Sequence, residues 1–197
     1  SEEHSPYVAQ VRERLASVIQ RRDTEFSWGK ATLLYDDPAK ITRAPGDTEG
    51  HLMSQFKALN LAPDKDMLIV SPYFVPREEG VRWLRSMTSR GVRVTVLTNS
   101  LAATDVAAVH AGYQRYRKDM LEAGVRLYEL KPVASAESDR SAKKSTFGSS
   151  KASLHAKTYV FDRTRIFIGS MNLDPRSVEL NTEIGVYCES AEATAQV

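Results

Sequence analysis

The chain has 197 residues, of which 42% are hydrophobic and 26% are charged. These values are typical of a folded domain with its own apolar core, and they exclude collagen-like, disordered and small disulfide-stabilised classes. The formal net charge of +2 is too small to indicate a nucleic-acid partner by itself.

The first 45 residues are predicted to form an N-terminal helix and a connector. Within 7–22, four arginines alternate with apolar residues at helical spacing, namely Val8, Val11, Leu15, Val18 and Ile19. This amphipathic helix would pack on the domain, or dock on a missing portion of the protein or an anionic surface. A short strand at 31–35 and a loop with an Asp-Asp-Pro turn signal follow it.

Residues 46–197 are predicted to form one α/β lobe. Apolar patterns alternate between helices at 52–61, 77–90 and 105–123 and strands at 67–70, 92–98 and 125–130. Gly91 and Gly124 follow two of these helices, where a left-handed cap is favoured. Short connections of this kind imply right-handed crossovers and a mixed, largely parallel sheet with helices on both faces.

The region after the third strand departs from this alternation. Residues 132–152 are rich in serine and lysine, which predicts a mobile surface loop, either a solvated connector or a lid that contacts a headgroup. Three strands are predicted after it, at 154–161, 165–168 and 183–188, and a turn at 162–164 joins the first two into a hairpin. The sheet is therefore expected to be mixed.

The single cysteine and the apolar runs limit where the protein works. With Cys188 alone, no internal disulfide can form, which favours a reducing compartment or the cytoplasmic face of a membrane. We expect this thiol to be a buried strand residue. No apolar run reaches the roughly 18 residues of a spanning helix. The start at Ser1, without Met or a signal pattern, leads us to expect a piece of a longer protein.

His155 begins a pattern of polar residues, H-x-K-x4-D-x6-G-S-x-N, that ends at Asn172. Positions two apart on a strand share a face, so the imidazole of His155 and the ammonium of Lys157 should project from the same side of the sheet. Such a pair suits a phosphodiester, because the ammonium and the Asn172 amide can hold oxygens while the imidazole attacks phosphorus or protonates a leaving oxygen. The alternative is that His155 and Lys157 point to solvent and that Asp162 only forms a turn. In that case the presence of Ser170 and Asn172 at the motif positions would be a coincidence.

The run 153–185 resembles the C-terminal H-x-K-x4-D half of the phospholipase D superfamily. Residues 71–76, SPYFVP, together with 91–129 resemble the bacterial cardiolipin synthase branch of that superfamily, and the likeness extends over about 28–185. The resemblance implies a phospholipase D-like lobe that takes part in phosphatidyl transfer through a phosphohistidine. It implies no metal and no other cofactor, and the other three histidines lack the spacing of a zinc site.

The resemblance also assigns roles to individual residues. His155 becomes either the nucleophile or the general acid/base. Glu183 matches the acidic residue that orients the histidine through its other ring nitrogen, and Asp162 becomes a supporting residue, more structural than chemical. Phosphate binding falls to three side chains, Lys157, Ser170 and Asn172.

Superfamily members carry two such motifs, whose histidines face each other across a pseudo-twofold axis, whereas this sequence contains one. We expect the second from a missing N-terminal lobe, with a second chain as the alternative. In two-motif enzymes the N-terminal histidine is usually the nucleophile, which would make His155 the general acid/base. The chain by itself would then be inactive or nearly so.

The function implied is that of a phosphatidyltransferase of cardiolipin synthase type, with phosphatidylglycerol or a similar phospholipid as substrate. It would act peripherally on the cytoplasmic side of the bacterial inner membrane. Two alternatives remain open: a phospholipase D-type phosphodiesterase or nuclease that uses water as acceptor, and an inactive lobe that binds anionic lipid. The near-neutral charge and the lack of a basic-aromatic stripe argue against nucleic acid.

Overall fold

The computed structural model describes residues 28–44, 46–131 and 153–197. The predicted helix at 7–22 and the predicted loop at 132–152 lie outside these ranges. Within them, seven strands form one sheet: β1 (Lys30–Tyr35), β2 (Asp66–Val70), β3 (Arg93–Asn99), β4 (Arg126–Leu130), β5 (Thr158–Phe161), β6 (Arg165–Gly169) and β7 (Ile184–Glu189). The same ranges contain a 3-10 helix, Pro38–Thr42, and the α-helices α1 (Leu52–Ala58), α2 (Arg77–Thr88), α3 (Ala107–Glu122), α4 (Pro175–Glu179) and α5 (Ala191–Ala195).

The strand order is β1-β7-β6-β5-β2-β3-β4, which confirms the predicted mixed α/β sheet. The pairings of β3 with β2 and with β4 are parallel, and the other four pairings are antiparallel, so the parallel share is smaller than predicted. The reason is that parallel neighbours need a crossover of a dozen or more residues. The chain provides helical crossovers before β3 and β4, whereas β5 and β6 are joined by a tight hairpin.

The hairpin turn is formed by Asp162 and Arg163, whose φ angles are 51° and 57°. Phe161 pairs with Arg165, so the loop contains three residues, 162–164. Two successive positive φ angles suit the right-handed twist of the flanking strands, and Asp is among the residues that tolerate this conformation. The turn predicted at 162–164 is confirmed. The predicted caps are confirmed as well, because Gly91 and Gly124 have φ angles of 86° and 83°.

The hydrophobic core lies between one face of the sheet and the helices. From α1, Phe56 packs edge-on against Phe167 at 5.3 Å between ring centroids and against Tyr159 at 5.9 Å. From α2, the predicted apolar stripe of Val81, Leu84 and Met87 is buried. Aromatic packing of this kind stabilises a sheet-helix interface beyond the apolar area that it buries.

The opposite face of the sheet carries exposed apolar side chains. Cross-strand neighbours on this face are 42–56% exposed: Leu33 on β1, Val186 on β7 and Ile168 on β6. Farther along the same face Ile166 and Val160 are buried, at 3% and 5% exposure, so the open area is the end of the face that carries these three residues. Successive right-handed crossovers that advance in one direction place their helices on the same side, so α2 and α3 both pack on the core side and leave this end of the opposite face uncovered in the described ranges.

Three further features bear on the sequence predictions. β1 lies within the predicted connector at 1–45 and pairs with β7 as an edge strand of the same sheet, while the division at residue 45 stays a prediction. Cys188 lies on β7 as expected, but it is half-buried rather than buried. No helix in the described part of the chain is both long and apolar enough to span a membrane.

Candidate active site

The ends of β5 and β6 bring the motif residues together. His155 and Lys157 lie just before β5 begins at Thr158, and Ser170 follows β6 directly. The N–H of Gly169 donates to the carbonyl oxygen of Lys157 at 3.2 Å, which extends the ladder by one residue beyond the assigned strand. As a result, His155, Lys157 and Ser170 line one shallow pocket at the edge of the open sheet face.

The two basic side chains of the motif differ in their surroundings. His155 is exposed, whereas Lys157 is 9% exposed. The Nζ of Lys157 donates to the backbone carbonyl oxygen of His155 at 2.8 Å, so the ammonium is held directly beneath the histidine main chain. Within the described ranges the imidazole itself makes no hydrogen bond or ion pair. The imidazole is therefore free to act on a bound group, while the ammonium of Lys157 is held by the His155 carbonyl oxygen.

Burial lowers the pKa of Lys157 below its ordinary value, because the ammonium is partly removed from water. Nearby carboxylates oppose this effect only in part: Glu183, Asp105 and Asp174. Because burial reduces screening by water, this ammonium interacts with a phosphate oxygen more strongly than a surface lysine does, whereas the three carboxylates repel the same phosphate. The partial desolvation of Lys157 is therefore the feature of its surroundings that favours an anionic ligand.

Glu183, immediately before β7, is buried and bonded to Ser170. Its Oε2 accepts a hydrogen bond from Ser170 Oγ, and its Oε1 accepts one from Asn181 Nδ2 at 3.4 Å. The Ser170 Oγ also accepts the N–H of Ile184 at 3.0 Å. The expected contact of Glu183 with the ring of His155 is not formed in the structure. Glu183 reaches the pocket through the serine instead.

Asn172 is buried and does not line the pocket of His155. Its Nδ2 lies 3.5 Å from Ser177 Oγ on α4, and its Oδ1 has no hydrogen-bond partner within the described ranges. Asp174 caps α4 by accepting the N–H of Arg176 at 2.9 Å, and its second carboxylate oxygen is also unpaired in those ranges. The loop after β6 thus holds two buried polar groups with unused hydrogen-bonding capacity.

Asp162 serves the backbone of a neighbouring loop. Its carboxylate accepts the N–H groups of Asp64, Lys65 and Asp66 at 3.0, 2.7 and 3.0 Å and forms an ion pair with Arg165 at 2.7 Å. It lies at the hairpin turn, at the far end of β5 from His155. These contacts fix the entry of β2 beside β5.

Sequence reasoning missed two acidic neighbours of Lys157, Asp105 and Asp174. Asp174 had a usable signal, because Asp followed by Pro175 is typical of a helix N-cap and its first residue. Asp105 had none beyond its place before α3. Its Oδ1 accepts a hydrogen bond from the Tyr73 hydroxyl at 2.6 Å, and burial, reinforced by that bond, raises the pKa of Tyr73 to about 12. In the described ranges, no group of three or more His, Cys, Asp or Glu side chains is arranged to hold a metal ion.

The comparisons with known proteins agree with this geometry. A family model described as "Cardiolipin synthase, PLD-like domain" matches residues 56–197. "Cardiolipin synthase C" of Escherichia coli (strain K12) is 48% identical over 172 residues, which are 86% of this chain and 35% of that protein. "Cardiolipin synthase A" of Pseudomonas aeruginosa (strain UCBPP-PA14) is 30% identical over 146 residues, 74% of this chain and 26% of that protein. The chain thus spans about a third or less of the length of these relatives.

Two solved structures show the same fold. Nuc from Salmonella typhimurium, a phospholipase D family member, superposes with a TM-score of 0.55 at 15% identity over 86% of this chain and 91% of that one. Phosphatidylserine synthase from Haemophilus influenzae Rd KW20 gives a TM-score of 0.56 at 16% identity over 96% of this chain and 43% of that one. Likeness at such identities concerns the fold, and the family model carries the assignment. The chain therefore belongs to the phospholipase D superfamily, in the family of PLD-like domains of cardiolipin synthase type.

Proposed function

We propose that the full-length protein containing this chain is a phosphatidyltransferase of cardiolipin synthase type and that this lobe supplies half of its active site. The observation that carries the proposal is that the exposed His155 and the partly desolvated Lys157, whose ammonium is bonded to the His155 carbonyl oxygen, line one pocket. In the reaction, the P–O bond to one glycerol headgroup breaks as phosphorus bonds to a histidine nitrogen. A hydroxyl of a second phosphatidylglycerol then displaces the histidine, so two phosphatidylglycerols yield cardiolipin and glycerol.

In this scheme His155 is the general acid/base and a histidine of the other half-site is the nucleophile. The exposed ring can protonate the departing alkoxide and later take the proton of the incoming hydroxyl. Lys157 binds a non-bridging oxygen, and the amide of Asn172 supports the phosphate after a small movement of its loop. Ser170 has a single hydroxyl proton, and this proton forms the hydrogen bond to Glu183. The hydroxyl therefore cannot donate to a phosphate at the same time. We assign Ser170 and Glu183 to holding the pocket rather than to direct phosphate binding.

The partner that completes the site is, in our proposal, a second phospholipase D-like lobe of the same polypeptide. The open sheet face beside the pocket supports this, because Leu33, Ile168 and Val186 form an exposed apolar surface that borders His155. Contiguous apolar surface next to a polar site is typical of an interaction face. The relatives are also roughly three times longer than the region matched, which leaves length for another lobe.

The proposal is tested by trapping the covalent intermediate. The full-length protein is mixed with vesicles of phosphatidylglycerol labelled with ³²P, quenched, and analysed for acid-labile, base-stable protein label. Label from the lipid and none from a labelled oligonucleotide is the expected result. Absence of label with any phospholipid would exclude the proposed mechanism. Glycerol release without cardiolipin would indicate hydrolysis in place of transfer.

The role of His155 is tested separately with a substrate whose leaving group needs no proton. His155→Asn should lower cardiolipin formation by about 10²–10⁴-fold, the range for loss of a general acid/base. The same variant should cleave bis(p-nitrophenyl) phosphate with a much smaller loss, because nitrophenolate departs unprotonated. An equal loss with both substrates would identify His155 as the nucleophile. His4→Asn, at a histidine outside the motif, is the matched control.

A further inference from the structure

Two oppositely charged side chains, Asp36 and Lys40, are buried close to the site. Asp36 directly follows β1, and Lys40 lies one turn later in the 3-10 helix. The Nζ of Lys40 is 2.8 Å from Asp36 Oδ2, and the two side chains are 1% and 0% exposed. Removing two charges from water commonly costs as much free energy as their attraction returns, so stability alone is a weak reason for such a pair. The other hydrogen bonds of the pair indicate a different role.

Asp36 forms hydrogen bonds with both the N–H and the carbonyl oxygen of Glu183. Its Oδ2 accepts the N–H of Glu183 at 2.8 Å, and its own N–H donates to the Glu183 carbonyl oxygen at 2.8 Å. Its Oδ1 accepts the N–H of Leu52, the first residue of α1, at 2.7 Å. Since Asp36 holds the main chain of Glu183, it also helps to set where the Glu183 carboxylate lies. That carboxylate in turn holds Ser170 at the pocket.

Lys40 reaches the other side of the same site. Besides Asp36, its Nζ donates to the carbonyl oxygen of Ser177 on α4 at 3.2 Å. The hydroxyl of Ser177 is the group that lies 3.5 Å from Asn172 Nδ2. The ammonium therefore connects Asp36, which holds Glu183, to the helix that neighbours Asn172.

We propose that Asp36 and Lys40 are positioning residues that hold Glu183 and α4 in register around the phosphate-binding pocket. The inference rests on the proposed function, because it assigns the pair a purpose in that site. Neither side chain touches the substrate. Their loss should therefore lower kcat with little change in KM, since the groups that contact the lipid remain present while their relative placement is altered.

The decisive variant is Asp36→Asn combined with Lys40→Met, which removes both charges at nearly constant volume. An asparagine presents one oxygen and one NH₂ group, so it can accept from Leu52 or from Glu183 but not from both. The single variant Lys40→Met retains a buried carboxylate without its cation and should fold less stably. Lys118→Met, at the exposed ion pair of Lys118 with Glu122 on α3, is the control.

Three measurements are made on the full-length protein: the midpoint of thermal unfolding, the kinetics with phosphatidylglycerol vesicles and with bis(p-nitrophenyl) phosphate, and hydrogen exchange of the peptide 181–186. For the double variant we expect a folded protein whose kcat is about 10–100-fold lower, the cost typical of a misplacement near 1 Å. We expect KM to stay within about threefold. Exchange at 181–186 should be about tenfold faster, while β2 and β3 keep their protection.

A folded double variant with wild-type kcat would overturn the inference, and so would unchanged exchange at 181–186. A fall in kcat accompanied by an equal rise in KM would assign the pair to lipid binding and would also overturn it. If the wild-type protein acts on neither substrate, the proposed function fails. The exchange measurement then still decides whether the pair holds Glu183.

Discussion

The carboxylate of Asp162 offers the sharpest test of how the motif supports the fold. Three backbone N–H groups, from Asp64, Lys65 and Asp66, and the guanidinium of Arg165 all donate to it. Asp162→Asn keeps the shape and one acceptor oxygen, and asparagine tolerates the φ angle of 51°. Asp162→Ala removes every acceptor and places an alanine in the left-handed region.

The magnitudes follow from these contacts. A hydrogen bond to a charged group stabilises by about 1.5–3 kcal/mol and a neutral one by about 1 kcal/mol, and water replaces part of each because the donors are near the surface. We therefore expect Asp162→Asn to destabilise by about 1–2 kcal/mol. Asp162→Ala should destabilise by about 3 kcal/mol, since the left-handed conformation alone costs alanine about 1–2 kcal/mol.

Thermal unfolding measures both effects. For a chain of this size, 1 kcal/mol corresponds to about 2–4 °C, so Tm should fall by about 2–8 °C for Asp162→Asn and about 6–12 °C for Asp162→Ala. Asp64→Asn, at an exposed neighbouring carboxylate, should leave Tm unchanged. Equal Tm values for Asp162→Asn and the wild type at pH 7 would refute the reasoning.

The pH dependence gives a second check on the same residue. Burial acts to raise the pKa of Asp162, but the backbone N–H groups and Arg165 outweigh it, so the pKa lies below its usual value in the folded state. A lowered folded pKa stabilises above the unfolded pKa, about 3.9, and this stabilisation is lost as the pH falls through the folded value. The difference in Tm between the wild type and Asp162→Asn should therefore be complete at pH 7 and shrink below about pH 4.

Three further predictions concern the pocket, its floor and the open face. Burial lowers the pKa of Lys157 in the folded protein. The wild type should therefore gain stability relative to Lys157→Met as the pH rises toward the pKa of an unfolded lysine, about 10.4. Parallel curves of Tm against pH for the two proteins would contradict this expectation. A Cβ at Gly185 would lie 2.5 Å from Cε2 of Phe167. Gly185→Ala should therefore lower the free energy of unfolding by about 1–3 kcal/mol, measured by denaturant titration. An unchanged midpoint would be evidence against the close packing of Gly185 and Phe167. Val186→Glu should lower the Tm of the full-length protein more than Ile41→Glu, at an exposed site on the 3-10 helix. Equal effects of the two substitutions on Tm would argue against a covered interface.

Much of the parallel part of the fold was predictable because its signals are local. Short apolar runs at β2, β3 and β4 alternate with amphipathic helices that end at Gly91 and Gly124, and each signal lies within a few residues. The antiparallel part was less predictable. The place of β5 between β6 and β2 depends on packing between segments about 90 residues apart, which no local pattern encodes.

The candidate site shows the same limit at the level of side chains. Spacing and resemblance predicted a site at His155 and Lys157, and both residues line one pocket, while their catalytic roles stay predictions. The attachment of Glu183 to Ser170 depends on the register of β6 and β7, which the sequence does not state. Lys40 was missed because charged residues are normally exposed, and composition cannot single out the rare buried one.

The central claim is that His155 performs chemistry on a phosphodiester within a two-part site. The most direct measurement is the rate at which the full-length protein converts phosphatidylglycerol vesicles to cardiolipin and glycerol. The wild type is compared with His155→Asn after their Tm values are shown to be similar, so that a difference in rate does not reflect unfolding. We expect the wild type to convert phosphatidylglycerol and the variant to do so about 10²–10⁴-fold more slowly. Conversion at the wild-type rate by a folded His155→Asn protein would contradict it.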